Sequence, residues 1–228
     1  MRLKLLGLGL GALMLGALLL RPRASAAQAY TGGAPLGPLR ALGANNAALR
    51  VAAIAWDEWS RAGLDPRVKI ALTAIGWHET RLQSIRSAAG LRDDQLGGSW
   101  GPWQVAASTA RALGRPTGPA SLGSEEAAIR DQARTAIAFA KYAGLLDRAL
   151  RREEVGAITG ELATSWGAGH SRDLQWVLDS PLNTALGGRL DSTTLRAALA
   201  GGTLGPVGAL VARRILTARE LAGSEQIA

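Results

Sequence analysis

Residues 66–82 read PRVKIALTAIGWHETRL, and the fold turns on how this stretch is read. Asp65 and Pro66 mark a helix start, the carboxylate as N-cap and the proline at the first helical position. At about 100° per residue, Val68, Leu72, Ile75, Glu79 and Leu82 fall within a single apolar stripe. Glu79 sits in the middle of that stripe. A glutamate there must find a partner or hold a proton, because burial disfavours the charged form, and a carboxyl protonated near neutral pH can serve as a general acid. The other readings are an ion pair with Arg81 or Arg86, or a fraying C-terminal turn through which the carboxylate reaches solvent. On the general-acid reading Glu79→Gln leaves folding intact or slightly improved, since a buried ionisable group is removed.

Working outward, helical signals dominate. Leu49, Ala52, Ala53 and Trp56 share one face of a segment that Gly63 ends. A short helix is predicted from about Ala106 to Leu113. Ser124-Glu125-Glu126 opens a long one to about Arg152, with Ile129, Ala133, Ile137 and Ala140 as its buried stripe. Val155, Ile158, Leu162 and Trp166 line the next. Pro181 to Gly202 reads as a connector with a short helix, and Val207 to Leu221 as a final helix. No segment alternates convincingly as a strand and none repeats at a solenoid period. The predicted class is mainly α: a leader over 1–26, a Gly/Pro/Ala linker over 27–46, a main domain over 47–182 and a C-terminal helical extension over 183–228.

The chain has 228 residues, no cysteine and two histidines, which excludes disulfides, thiolate nucleophiles and Cys-ligated metals. Half of the net charge of +8 comes from Arg2, Lys4, Arg21 and Arg23, in a leader free of acids. Between them the uninterrupted Leu/Gly/Ala/Met run Leu5 to Leu20 is about 24 Å long as a helix, short of a hydrocarbon core of roughly 30 Å. Small-x-small sites at Ala24-Ser25-Ala26 and Ala27-Gln28-Ala29 suit signal peptidase, while Arg21 and Arg23 suit a membrane flank. The leader is therefore a signal peptide or a membrane anchor, and the body is expected outside the cytoplasm or at a membrane. A nucleic-acid partner is not expected, because so much of the positive charge lies in that leader.

Three short blocks follow one another between residues 78 and 169: HETRL from His78, SWGPWQV from Ser99 with a trailing Thr109-Ala110, and SWGAG from Ser165. In these residues the chain resembles the lysozyme-like lytic transglycosylases, including the soluble lytic transglycosylase and goose-type lysozyme families. Those proteins carry a helix ending in Glu-Ser or Glu-Thr, then Ser-x-Gly-Leu-Met-Gln with Thr-Ala, then Tyr-Asn-Ala-Gly. The resemblance implies a lysozyme-like fold that cleaves the β-1,4 bond between N-acetylmuramic acid and N-acetylglucosamine in peptidoglycan. Glu79 is then the catalytic acid, and Ser99 and Gln104 shape the cleft and hydrogen-bond the sugar or the catalytic carboxylate. Here Pro102-Trp103 replaces Leu-Met and Trp166-Gly167 replaces Tyr-Asn, so the cleft lining differs and an aromatic hydroxyl and an amide near the acid are lost. Asp93 and Asp94 occupy the stretch in which goose-type relatives place an aspartate that positions water, and an ordinary solvated loop is the other reading.

Trp100 and Trp103, in a Gly/Pro-rich turn, are expected as platforms for pyranose faces, Trp166 and His170 as cleft residues, and Trp56, Trp59, Trp77 and Trp176 as packing. His78 is read as a polar helix residue. Gly97 to Gly101 matches the G-x-S-x-G elbow but lacks the strand and parallel sheet it needs. His78-Glu79 begins H-E-x-x-H, yet Leu82 stands where the second histidine belongs, so neither a metal nor a cofactor is expected. The expected partners are peptidoglycan glycan strands, and the membrane if the leader is retained. Two alternatives stand beside the transglycosylase: a goose-type muramidase hydrolysing the same bond, and a non-catalytic protein of this fold in a phage particle.

Overall fold

The computed structural model describes residues 33–83, 99–116, 123–168 and 191–223. It is mainly helical. In chain order the elements are α1 (Leu36–Ala41), α2 (Asn46–Arg61), α3 (Pro66–Thr80), the two-residue strands β1 (Ser99–Trp100) and β2 (Val105–Ala106), α4 (Ala107–Ala112), α5 (Glu125–Lys141), a 3₁₀ turn (Tyr142–Gly144), α6 (Leu145–Leu150), α7 (Val155–Ala168), α8 (Ser192–Ala200) and α9 (Pro206–Leu221).

Helix α3 is the centre of the molecule. Asp65 caps it by accepting from the Arg67 N–H at 2.8 Å, and Pro66 occupies the first turn. Burial extends all round rather than along one stripe: every residue from Val68 to Trp77 is buried, as suits a helix covered by neighbours on several sides. Lys69 is buried with them, its Nζ donating to Ser60 Oγ at 3.0 Å and lying 4.7 Å from the Trp56 ring centre. The helix ends in the left-handed turn at Arg81 (φ 59°) and Leu82 (φ 52°), where the Leu82 N–H reaches back to the Gly76 carbonyl at 3.2 Å. Leu82 is thus fully buried by folding back, not by continuing the helical stripe.

Helices α7 and α9 pack on α3 and on each other, while α2 packs on α5. The final helix is therefore part of the same core as α3, and a division that sets residues 183–228 apart as an extension does not describe α9. The predicted linker over 27–46 is also partly folded. Helix α1 lies within it, Leu39 is fully buried, and Asn45 caps α2 by accepting from the Ala48 N–H at 2.9 Å.

Ser124 caps α5 as the sequence suggests, and Ile129, Ala133, Ile137 and Ala140 are all buried. The helix predicted to run on to Arg152 instead stops at Lys141. Tyr142 leaves in extended conformation and Gly144 turns with φ 69° before α6 begins. The small hairpin was not expected, because two-residue strands are too short to alternate visibly; Ser99 pairs with Ala106 and Trp100 with Val105. No helix among the described residues is long and apolar enough to cross a membrane; the leader lies outside them.

Candidate functional site around Glu79

Glu79 lies in the last turn of α3, its side chain 19% exposed. Arg81 lies over the Trp77 ring, 4.8 Å from its centre, and makes no bond to Glu79 among the described residues; Arg86 lies outside them. The partner is Arg214 of α9, itself 1% exposed, whose Nη2 donates to Glu79 Oε1. Arg214 Nη1 donates to the Ala163 carbonyl of α7 at 3.0 Å, so one guanidinium ties three helices together beside the carboxylate. Arg214 Nε is buried with no hydrogen-bond partner among the described residues.

Burial pushes the Glu79 carboxyl above its ordinary value, with the charge and hydrogen bond of Arg214 pulling the other way. Burial likewise pushes the Arg214 guanidinium below its ordinary range. Water is so far withdrawn that desolvation outweighs the attraction for both partners. Next door, His78 is held neutral: burial first, then the charges of Arg214, Arg81 and Arg213, push it down to about 4. Its Nε2 lies 2.9 Å from Thr217 Oγ1, so this polar helix residue serves as a packing contact to α9.

The three sequence blocks meet in space. Thr80 Oγ1, next to Glu79, donates to the Pro102 carbonyl at 3.0 Å, and Trp166 Nε1 donates to the Trp103 carbonyl at 2.7 Å. Trp103 Nε1 in turn donates to the Leu72 carbonyl of α3 at 2.9 Å. Gly76 makes room for this approach: a Cβ there would lie 2.7 Å from both Trp103 Nε1 and Leu82 Cδ2. The turn Gly101 to Gln104 needs left-handed backbone at both ends (φ 76° and 47°), and a Cβ on Gly101 would run into the Gln132 side chain.

Not every expected role survives. Trp100 and Trp103 are 1% and 0% exposed, so neither can offer a face to a sugar. Trp103 instead packs edge-on against Trp59, with ring centres 5.3 Å apart. The residue types were right for a sugar platform, but a tight hairpin pressed onto α3 and α5 turns both rings inward. Trp166 is half-buried and packs edge-on against Phe139 at 4.5 Å, while its N–H braces the hairpin. Ser99 and Gln104 are half-buried and bonded within the hairpin: Ser99 Oγ donates to Gln104 Oε1 at 3.2 Å, and Gln104 Nε2 to the Gly101 carbonyl at 2.8 Å. Asp93, Asp94 and His170 lie outside the described residues, as does Trp176. Trp56, Trp59 and Trp77 are buried, as expected.

Arg214 is the residue that sequence reasoning missed, although it left a signal. Val211, Ile215, Ala218 and Leu221 form the buried stripe of α9 with Arg214 inside it, the positive counterpart of a glutamate set in the apolar surface of α3. A cavity of about 330 Å³, lined by Leu42, Asn45, Trp77, Arg81 and Gln83 among others, does not include Glu79. Among the described residues no group of three or more His, Asp or Glu side chains is placed to hold a metal ion. Comparisons with models of protein families, with curated proteins and with solved structures find no match for this chain.

Proposed function

We propose that the protein is a peptidoglycan lytic transglycosylase that works outside the cytoplasm with Glu79 as its single catalytic carboxyl. The observation that carries this reading is the partly desolvated carboxyl of Glu79, its proton affinity raised by burial, at the point where three motif blocks converge. The substrate class rests on the resemblance of those blocks. The chemistry rests on the carboxyl.

Protonated Glu79 would give its proton to the glycosidic oxygen as the bond from that oxygen to C1 of the muramic acid breaks. The resulting carboxylate would then take the proton of the muramyl 6-hydroxyl, whose oxygen closes on C1 to give a 1,6-anhydro end. One group acts as acid and then base and returns to its starting state, so a second carboxyl is unnecessary, unlike in glycosidases that use a pair. Closure also gains from a tethered nucleophile.

Mass spectrometry of muropeptides released from purified sacculi tests the reading. Anhydro products, lighter by one water than hydrolysis products, are expected, and they should persist in Asp93→Asn and Asp94→Asn. Reducing ends that disappear with either substitution would point to the goose-type hydrolase, with the aspartate holding a water. One observation favours the non-catalytic alternative: the two tryptophans in the best position to bind sugar are consumed by the core. Absence of any released muropeptide from intact sacculi would support that alternative.

A further inference from the structure

The Glu79–Arg214 pair has a feature that stability does not explain. Exchanging a buried ion pair for apolar side chains of similar volume is often neutral or stabilising, and the α9 stripe is otherwise apolar apart from Thr217. The pair is also directional. Arg214 is oriented by two bonds, Nη1 to the Ala163 carbonyl and Nη2 to Glu79 Oε1, while Glu79 Oε2 accepts no hydrogen bond from a described residue. Glu79 keeps some exposure where Arg214 has almost none.

We infer that Arg214 is the positioning residue of Glu79: its guanidinium grips Oε1, fixes the carboxyl against α7, and leaves Oε2 to carry the proton to and from the sugar. This rests on the transglycosylase reading. A group that must act first as acid and then as base has to be tolerable in both states, and Arg214 supplies the charge that stabilises the second. Among the described residues the charged and titratable groups around it are few. On α3 and its terminal turn they are His78, held neutral, and Arg81; on α9 they are Arg213 and Arg214. From α7 it is the neutral Ala163 carbonyl that joins the arrangement, Glu161 of that helix being bonded to Arg152 at 3.0 Å. Ser99 and Gln104 of the hairpin carry no charge.

The test uses the full-length chain with ¹³C-labelled glutamate and ¹⁵N-labelled arginine. In Arg214→Gln, the titration midpoint of the Glu79 carboxyl should rise by about 1 to 3 pH units, the range an opposite charge at this separation controls. The alkaline limb of the pH profile for sacculus lysis should move up with it, while kcat falls more than KM changes. Arg214→Lys, which keeps a charge but not the planar fork, should lie between Gln and wild type. A Glu79 midpoint in Arg214→Gln that stays put or falls would overturn the inference. If Arg214→Gln does not fold, the wild-type chain still decides: the Arg214 Nη signals should shift with the same midpoint as Glu79, and signals flat through that midpoint would overturn it. Coupled titration in a protein that releases no muropeptide would reject the positioning role together with the muralytic reading, while leaving the pairing itself established.

Discussion

Two of the helix seams that carry ion pairs are built on opposite plans. Along α2 and α5, Arg130 Nη1 meets Asp57 at 2.7 Å, Arg130 Nη2 meets Glu126 at 2.9 Å and Arg134 Nε meets Glu58 at 2.6 Å. Arg134 is 53% exposed and Asp57 and Glu126 are 43% and 49% exposed, so water and mobile ions reach the outer members of the network, while Glu58 lies beneath them at 9%. Beneath that network the seam is held by packing and by the Trp59 N–H, which donates to the Ala133 carbonyl at 3.0 Å. Along α3 and α9 one pair lies almost out of water. A network in which Glu58 faces both Arg130 and Arg134 can lose one outer member, whereas each member of a buried pair leaves the other stranded. The first arrangement suits the register of a seam, and the second suits a group whose proton matters.

The largest effect that would break this contrast comes from Glu79→Gln. On the proposed function it should lower lysis of sacculi by about a thousandfold or more, within the range for a lost general acid. It should also lower stability by about 3 kcal/mol, because Arg214 is left charged and buried. The expectation from the sequence alone, intact or improved folding, lacked this partner. Equilibrium urea denaturation decides, and an unchanged midpoint would mean that Arg214 finds water or another acceptor.

Replacing both members should reverse the stability loss without restoring activity. Glu79→Leu with Arg214→Met is expected to regain about 1 to 3 kcal/mol over Glu79→Gln and to leave sacculi intact. A double variant less stable than either single one would show that the pair contributes more than its desolvation removes.

At the same seam, pH should act through His78. An unfolded chain takes up a proton near the ordinary 6.5, while the folded one resists until about 4. The stability contribution is therefore fully present above about 6.5 and is lost as pH falls through that window. His78→Gln should flatten this part of the thermal-melt profile. A wild-type slope that persists unchanged in the variant would assign it to other groups.

The smallest effect is expected at the other seam. Arg134→Ala should change stability by no more than about 1 kcal/mol, and less in high salt. A loss above about 2 kcal/mol that survives high salt would erase the distinction between the seams.

What the sequence revealed of this arrangement follows from the range over which its signals act. Local ones read well: the Asp65-Pro66 start of α3, the Ser124 cap of α5, and the Ile129 to Ala140 stripe. Helix α1 hid in a Gly/Pro-rich stretch because six residues are too few to display a period, and Leu39 anchors it through tertiary contact. Gly144 gave little warning in a segment that otherwise reads as one helix. The motif blocks assigned Glu79, Trp103 and Trp166 to one cleft, but their spacing says nothing about which way a tryptophan points. Arg214 stands 135 residues from Glu79. Only the misfit of each charge within its own apolar surface hinted that they belong together.

That separation has a consequence for biosynthesis. Ribosomes deliver α3 long before α9, so the nascent chain presents Glu79 while its counter-charge is still unmade. Until Arg214 arrives, α3 lacks the helix that covers one flank of its last turn, and the carboxyl lacks its partner. On the proposed function, a wall-degrading enzyme assembled in this order would acquire its cutting power only as its last described helix docks.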